Sequence, residues 1–340
     1  MSAMRRIEIV GGGPAGLAAG LALVRSGVPV TVLEAGGYPR HRVCGEFIAG
    51  LRPSTVDALG LRPILGDARA HDSVTYVVRG RALRPYPLPA TAWGISRHTL
   101  DQRLANAFSE AGGDLRTGTR ADLAEAPPGR VFAAGRRRRG PLWVGLKVHV
   151  RAMALANDFE VHLGDRAYVG LSRTESGEVN ACGLFGPQAA QERGLDLLLS
   201  YLRGSGLGGL ADRIRAADPD LASFCATAAP LGDSRVGDTD GIWIGDACAS
   251  IAPFTGNGLA MALQGAETAL GPLRDYAAGL ASWTEAVRRT AAGQRRRFRR
   301  RLLASWLLHP FLLQPVRQNI LAGLVSARLL PFRGLYALVH

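Results

Sequence analysis

The chain has 340 residues, 47% of them apolar and 20% charged, with a net charge of +13. This balance excludes a disordered chain and leaves room for one large or two medium domains with an ample core. Cys44, Cys182, Cys225 and Cys248 are scattered with no CxxC pair, which argues against a zinc site or a disulfide framework and for a reducing cytoplasm.

In chain order, residues 5–10 read as an apolar strand that starts almost at once, so no signal peptide is expected. Gly11-Gly12-Gly13-Pro14-Ala15-Gly16 follows, then an apolar helix over 17–26 and a second strand over 28–34 that ends in Glu34. Strand, glycine-rich turn, helix and strand-end acid together form a dinucleotide-binding fingerprint. Gly11 allows the tight turn, Gly13 admits a pyrophosphate, and Gly16 lets the helix pack closely on the sheet. The helix N-terminus offers unpaired N–H groups to the phosphates. Glu34 is placed to accept from both ribose hydroxyls, and its charge favours FAD or NAD over NADP.

Residues 51–94 read as irregular and proline-rich, apart from a strand-like stretch over 73–78. A helix is expected over 97–111 and a short buried strand over 131–135. Residues 142–186 alternate as β-strands, 190–222 read as helical, 242–247 return to strand, and 258–292 read as helix. Asp246 ends the 242–247 strand and is placed to hold a ribitol hydroxyl or order water at a pyrophosphate. Pro253, Gly256, Asn257 and Gly258 then form a turn into the helix, aiming backbone N–H groups and a positive helix end at a flat ligand.

The fingerprint, Glu34, Arg42-Val43-Cys44-Gly45-Glu46, Arg97 with Asp101, and 245–258 resemble, in this order, the FAD-dependent oxidoreductases. The geranylgeranyl reductases are the nearest group, and p-hydroxybenzoate hydroxylase-like monooxygenases are more distant. The resemblance covers about residues 5–290 and implies an α/β fold. A Rossmann-like FAD-binding domain of the glutathione-reductase type would be built from 1–50, 95–140 and 232–290. An inserted antiparallel β-sheet substrate domain would come from 51–94 and 141–231, with a helical C-terminal segment over 291–340. The resemblance also implies that Gly11, Gly13, Pro14, Ala15, Gly16, Glu34, Arg42, Arg97 and Asp246 bind FAD. Cys44, Gly45 and the 253–258 turn would border its ring. NAD(P)H would be the electron donor and a hydrophobic small molecule (isoprenoid, quinone or polyketide-like) the substrate. Hydroxylases of this class carry an Asp-Gly pair after the third nucleotide-binding strand, but here Ala133-Ala134-Gly135 runs into Arg136. That departure favours a reductase or dehydrogenase over a monooxygenase. A nonenzymatic flavin- or lipid-binding protein is the remaining class.

Cys44 and Glu46 are the catalytic candidates. The thiol lines the flavin pocket, donates a proton to a substrate, or simply packs; the carboxyl is either a general acid with a pKa raised by burial or an organiser of its loop. His149 and His162 lie on strands expected to roof the substrate pocket but read more simply as satisfied strand residues. Tyr168, Phe185 and Trp143 read as core or as the wall of an apolar cavity, and the arginines at 136–139 as a solvated turn. Six arginines over 295–301 precede an apolar run over 302–313, which is too short to span a membrane. Either this segment lies on an anionic membrane surface or it caps the protein's own core. Lipid, not nucleic acid, is the expected partner of the basic blocks.

Overall fold

The computed structural model describes residues 4–136, 142–230 and 234–340. Among these residues two sheets organise the chain. The first opens with β1 (Ile7–Val10), α1 (Pro14–Val24) and β2 (Val30–Leu33). The chain then passes through β3 (Phe47–Ile48), α2 (Pro53–Ala58), β4 (Arg69–Val78), β5 (Arg81–Ala82) and β6 (Tyr86–Gly94). It returns by α3 (Arg97–Glu110), β7 (Asp114–Arg116) and β8 (Arg130–Phe132). The second sheet takes β9 (Leu142–Val150), β10 (Phe159–Gly164), β11 (Ala167–Arg173) and β12 (Val179–Phe185). Next come α4 (Gly194–Gly204), α5 (Gly208–Ala216), β13 (Pro219–Pro230) and β14 (Ile242–Trp243). The helices α6 (Gly258–Ala277), α7 (Trp283–Leu313), α8 (Pro315–Ser326) and α9 (Phe332–Val339) finish the chain.

The first sheet is parallel, in the order β14-β8-β1-β2-β7. The order reverses between β1 and β8, and ligands of open α/β sheets bind in the crevice beyond such a point. The turns after β1, β8 and β14 all open there. Ile7, Ile9, Val30, Val32 and Val131 of this sheet are buried against Leu17, Leu104, Phe108, Leu263 and Leu273 from the helices.

The second sheet runs β13-β9-β12-β11-β10-β4-β6-β3, with β5 beside β4. It is antiparallel except for the parallel pair β10–β4. Strand alternation gives it two faces. Leu146, Val148, Val150, Val169, Leu171 and Ala181 pack under Leu198, Leu202, Leu210 and Ile214 of α4 and α5. The opposite face carries Lys147, His149, Asn180 and Cys182 at one end. Towards the other end, Tyr168 and Leu184 meet Leu312 and Leu313 of α7.

Three sequence expectations are corrected. The 51–94 stretch holds two long strands, β4 and β6, because the prolines of β6 fall around a register shift between His71 and Ser73. The helical reading of 190–222 ends early, since β13 starts at Pro219. The 258–292 helix is two helices: α6 stops near Gly279 at φ +76°, and Ser282 caps α7 by accepting from Glu285 N at 3.2 Å.

Candidate active site

The site begins at Gly11, whose φ of +111° and contact with the Ala133 backbone leave no room for a Cβ. Gly13 differs: a Cβ there would meet only Arg97 Nη2, at 3.9 Å. Gly13 is the N-cap of α1 and supplies no side-chain cap, and Pro14 occupies the first turn. The first N–H groups of the helix therefore face an open space with a guanidinium across it, an arrangement suited to a phosphate. Pro14, Ala15 and Gly16 are buried in this turn, and the Gly245 turn abuts Ala15.

Arg97 is set by α3, whose N-cap Ser96 accepts from Thr99 N at 3.1 Å and is itself held by Glu175. Asp101 binds the guanidinium bidentately at 2.7 and 2.6 Å. Burial disfavours the charge, but the Asp101 pair outweighs it and raises the Arg97 pKa. Asp246 pairs with Arg136 at 2.8 Å, with both side chains about one-third exposed. Arg136 was expected in a solvated turn; its guanidinium instead holds Asp246, while 137–139 lie outside the described residues.

Glu34 directly follows β2, and its carboxylate is already engaged. Gly12 N at 2.8 Å, Gly36 N at 2.9 Å and Arg40 Nη2 at 2.5 Å donate to it, and Arg42 stands 3.9 Å away. Burial raises its pKa, yet these hydrogen bonds prevail and hold it below the usual carboxylate range. A carboxylate accepts about four hydrogen bonds, so one place is left, not the two that a pair of ribose hydroxyls needs. The Tyr38 hydroxyl also donates to the Gly12 carbonyl beside it.

Loop 42–46 crosses to the second sheet. Asn180 Nδ2 donates to the Cys44 carbonyl at 3.0 Å, and Ser172 Oγ to the Gly45 carbonyl at 2.9 Å. A Cβ on Gly45 would have no atom within 4 Å, so open space adjoins the loop. Burial pushes the Cys44 thiol pKa up, which keeps the thiol protonated.

Of the two readings of Glu46, acid or organiser of its loop, its surroundings fit the organiser. Glu46 is fully buried at φ +52° and accepts from Arg97 N at 2.8 Å, Lys147 Nζ at 2.6 Å and His149 Nε2 at 2.6 Å. Burial raises its pKa, but the His149 hydrogen bond and the Lys147 charge lower it further, so it stays ionised. Lys147 is also fully buried, with His41 Nδ1 at 3.5 Å. The sequence reading passed over Lys147. Its signal is the alternation in β9, which puts Lys147 and His149 on one face and Val144, Leu146, Val148 and Val150 on the other. His162 is a satisfied residue, bound to Glu160 at 2.8 Å.

The 253–258 loop packs beside Phe47 of β3. Ala49 N donates to the Gly256 carbonyl at 3.3 Å, which brings this loop beside 45–50. Pro253 starts a short 3₁₀ turn, and Gly258 begins α6. Asn257 precedes α6 without capping it; its buried amide donates instead to the Val339 carbonyl of α9. The α6 N-terminus, like that of α1, has no side-chain cap. The structure thus gathers the fingerprint, Arg97, Asp246 and Cys44–Glu46 around one crevice, with the 253–258 loop against its edge. Arg42 lies at the Glu34 end, its side chain 45% exposed.

No family model matches the chain. It is 29% identical over 138 residues to a menaquinone reductase of Mycolicibacterium smegmatis, a stretch covering 39% of this chain and 34% of that one. The chain spans about a third of the length of the curated relatives it matches. A geranylgeranyl bacteriochlorophyll reductase-like protein from Thermoplasma acidophilum superposes with a TM-score of 0.73 at 15% identity, covering 94% of this chain and 91% of that one. PqsL of Pseudomonas aeruginosa, described as a probable FAD-dependent monooxygenase, gives a TM-score of 0.67 at 15% identity over 96% of this chain and 100% of that one. The chain has the fold of the FAD-dependent oxidoreductases and, within them, resembles the geranylgeranyl reductase group alongside the flavoprotein monooxygenases.

Proposed function

We propose that the protein is an FAD-dependent oxidoreductase that reduces a hydrophobic small molecule, with NAD(P)H as electron donor. The observation that carries this reading is the open gap between Gly13, the uncapped start of α1 and Arg97, continued by the space at Gly45. Gly11, Gly13, Pro14, Ala15 and Gly16 would hold the pyrophosphate with Arg97. Glu34 and Arg42 would take the ribose end, and Asp246 the ribitol. Cys44, Gly45, Pro253, Gly256, Asn257 and Gly258 would border the ring. Bound there, FAD supplies two-electron transfer to or from an organic substrate. The chain's own contributions are position, exclusion of water and charge. The uncapped α6 helix end favours negative charge at the ring edge by about 0.3–2 kcal/mol. Lys147 and His149 keep Glu46 ionised and hold its loop.

The test is anaerobic addition of NADH or NADPH to the FAD-loaded protein. Bleaching of the flavin absorbance, reversed by an electron-accepting substrate without oxygen, is the expected result. A reaction that proceeds only with oxygen and inserts one of its atoms favours the second reading, a monooxygenase, which the likeness to PqsL supports.

The C-terminal helices support delivery of that substrate from an anionic membrane surface. Residues 286–340 contain eleven arginines and no acidic residue. Leu303, Leu307 and Phe311 are 62%, 66% and 37% exposed at helical spacing on α7, and Val316 and Ile320 of α8 are 73% and 51% exposed. Arg296, Arg299 and Arg300 precede them in exposed positions. The other three of the six are engaged by the protein: Arg295 with the Gly237 carbonyl, Arg297 with Glu267 and Arg301 with Gln264. Among the described residues no helix is long and apolar enough to cross a membrane. Such a face suits an interfacial helix. Cosedimentation with vesicles containing phosphatidylglycerol, lost in high salt or in Leu303→Ser/Leu307→Ser, is expected. A protein that stays in the supernatant at low salt refutes the membrane contact.

A further inference from the structure

The aromatic end of the second sheet holds polar atoms that the folded chain does not use. His309, on the inner face of α7, is 5% exposed, and its Nε2 has no hydrogen-bond partner. Four aromatic rings surround it. Phe254 is stacked at 5.8 Å and 9°, Trp306 stands edge-on at 5.7 Å, Tyr168 edge-on at 6.0 Å, and Trp143 tilted at 6.1 Å. The Ser305 hydroxyl, one helical turn before His309, is likewise buried without a partner, and the Tyr168 hydroxyl is buried beside the Phe254 backbone N–H, which leaves its own proton to donate. Leaving buried polar groups unpaired is unfavourable, and folded proteins rarely do so without a reason. A purely structural core here would carry Phe or Leu. Phe254 belongs to the 253–258 loop, so this box shares a wall with the cradle described above.

We infer that His309 and Tyr168 are the recognition pair for a planar ring that bears a carbonyl or hydroxyl oxygen. The ring would lie among Phe254, Trp143 and Trp306, and its oxygen would accept from His309 Nε2–H or Tyr168 O–H. This rests on the proposed flavin site and narrows its substrate class. An isoprenoid chain offers no atom for these donors, whereas a quinonoid or aromatic polyketide ring does.

The test compares 1-naphthol with naphthalene by equilibrium dialysis, on the protein with and without FAD. The wild type is expected to bind 1-naphthol at least about tenfold more tightly than naphthalene. His309→Phe should abolish that preference while raising the melting temperature of the free protein, because an unpartnered polar group is removed. Tyr168→Phe, which deletes only a hydroxyl, should reduce the preference severalfold and serves if His309→Phe does not fold. Equal wild-type affinity for the two probes overturns the inference. So does a preference that survives both substitutions, or a lowered melting temperature in His309→Phe. Failure of the flavin reading appears separately, as absence of FAD binding, and leaves the naphthol comparison readable.

Discussion

Replacing Lys147 with Met tests whether the buried cluster holds the site together. Lys147 and Glu46 are both fully buried, with 2.6 Å between Nζ and Oε1. Removing one partner of a buried pair leaves the other charge uncompensated, at about 3–5 kcal/mol. The Glu46 carboxylate keeps Arg97 N and His149 as donors, so the lower end, about 3 kcal/mol, is expected. At about 2–4 °C per kcal/mol for a chain of this class, the melting temperature should fall by about 6–12 °C. Glu46→Gln should cost at least as much, since it leaves the buried Lys147 ammonium with no counter-charge. The double variant should be much less destabilised than the sum, because an amide can still accept from Arg97 N and no charge remains. Urea unfolding of the four proteins gives the coupling energy directly. The pH dependence follows from the lowered Glu46 pKa. Its stabilising contribution is present above the unfolded value of about 4.5 and is lost as pH falls through the lower folded value. The penalty of Lys147→Met should therefore be largest near neutrality and shrink in acid. Single-variant effects below about 1 kcal/mol, or strict additivity, would show that the pair is not the structural tie described here.

Three further outcomes are expected. Gly13→Val should leave thermal stability nearly unchanged, because a Cβ meets only Arg97 at 3.9 Å, yet eliminate FAD binding; a fluorescence titration with FAD checks it, and normal affinity would remove the Gly13 gap from the site. Asp246→Ala breaks the 2.8 Å pair with Arg136 and should weaken FAD by about ten- to a hundredfold, the value of a hydrogen bond to a charged group, with little change in the far-ultraviolet circular dichroism spectrum. Burial lowers the His309 pKa from 6.5 to about 4. The unfolded chain takes up this proton first, so stability should decline by about 3 kcal/mol as pH falls from 6.5 towards 4. Wild type and His309→Phe compared over that range isolate the term, and identical slopes would contradict it.

The placement of the glycine turn, Glu34 and Arg97 was legible because its signals are local. Gly11, Gly13 and Gly16 are fixed by one turn and one helix start, and Glu34 by the strand that follows. Arg97 and Asp101 stand four residues apart on a periodic helix. What the sequence hid depends on tertiary contact. Lys147 looks like a solvent-facing strand residue until loop 42–46 lies over β9, and the same contact keeps the Glu46 carboxyl ionised instead of protonated. Arg136 looked like the start of a solvated run, and only the return of β14 beside β8 brings Asp246 to it. His309 lay in an apolar run whose outer face is the one that composition reveals. Its inner face acquires meaning only from Tyr168 and Phe254, which are distant in sequence. The strands β4 and β6 were obscured by Pro87 and Pro89, which read as breakers where the ladder itself is irregular.

The central claim is that the crevice beyond β1 and β8 binds FAD. The most direct measurement is a titration of flavin-free protein with FAD, followed by acid precipitation of the complex. Saturation at one FAD per chain is expected, with all flavin released to the supernatant because no covalent link is formed, and with no saturable binding in Gly13→Val. A chain that fails to bind FAD, or that binds it as tightly with Gly13→Val, would contradict the account.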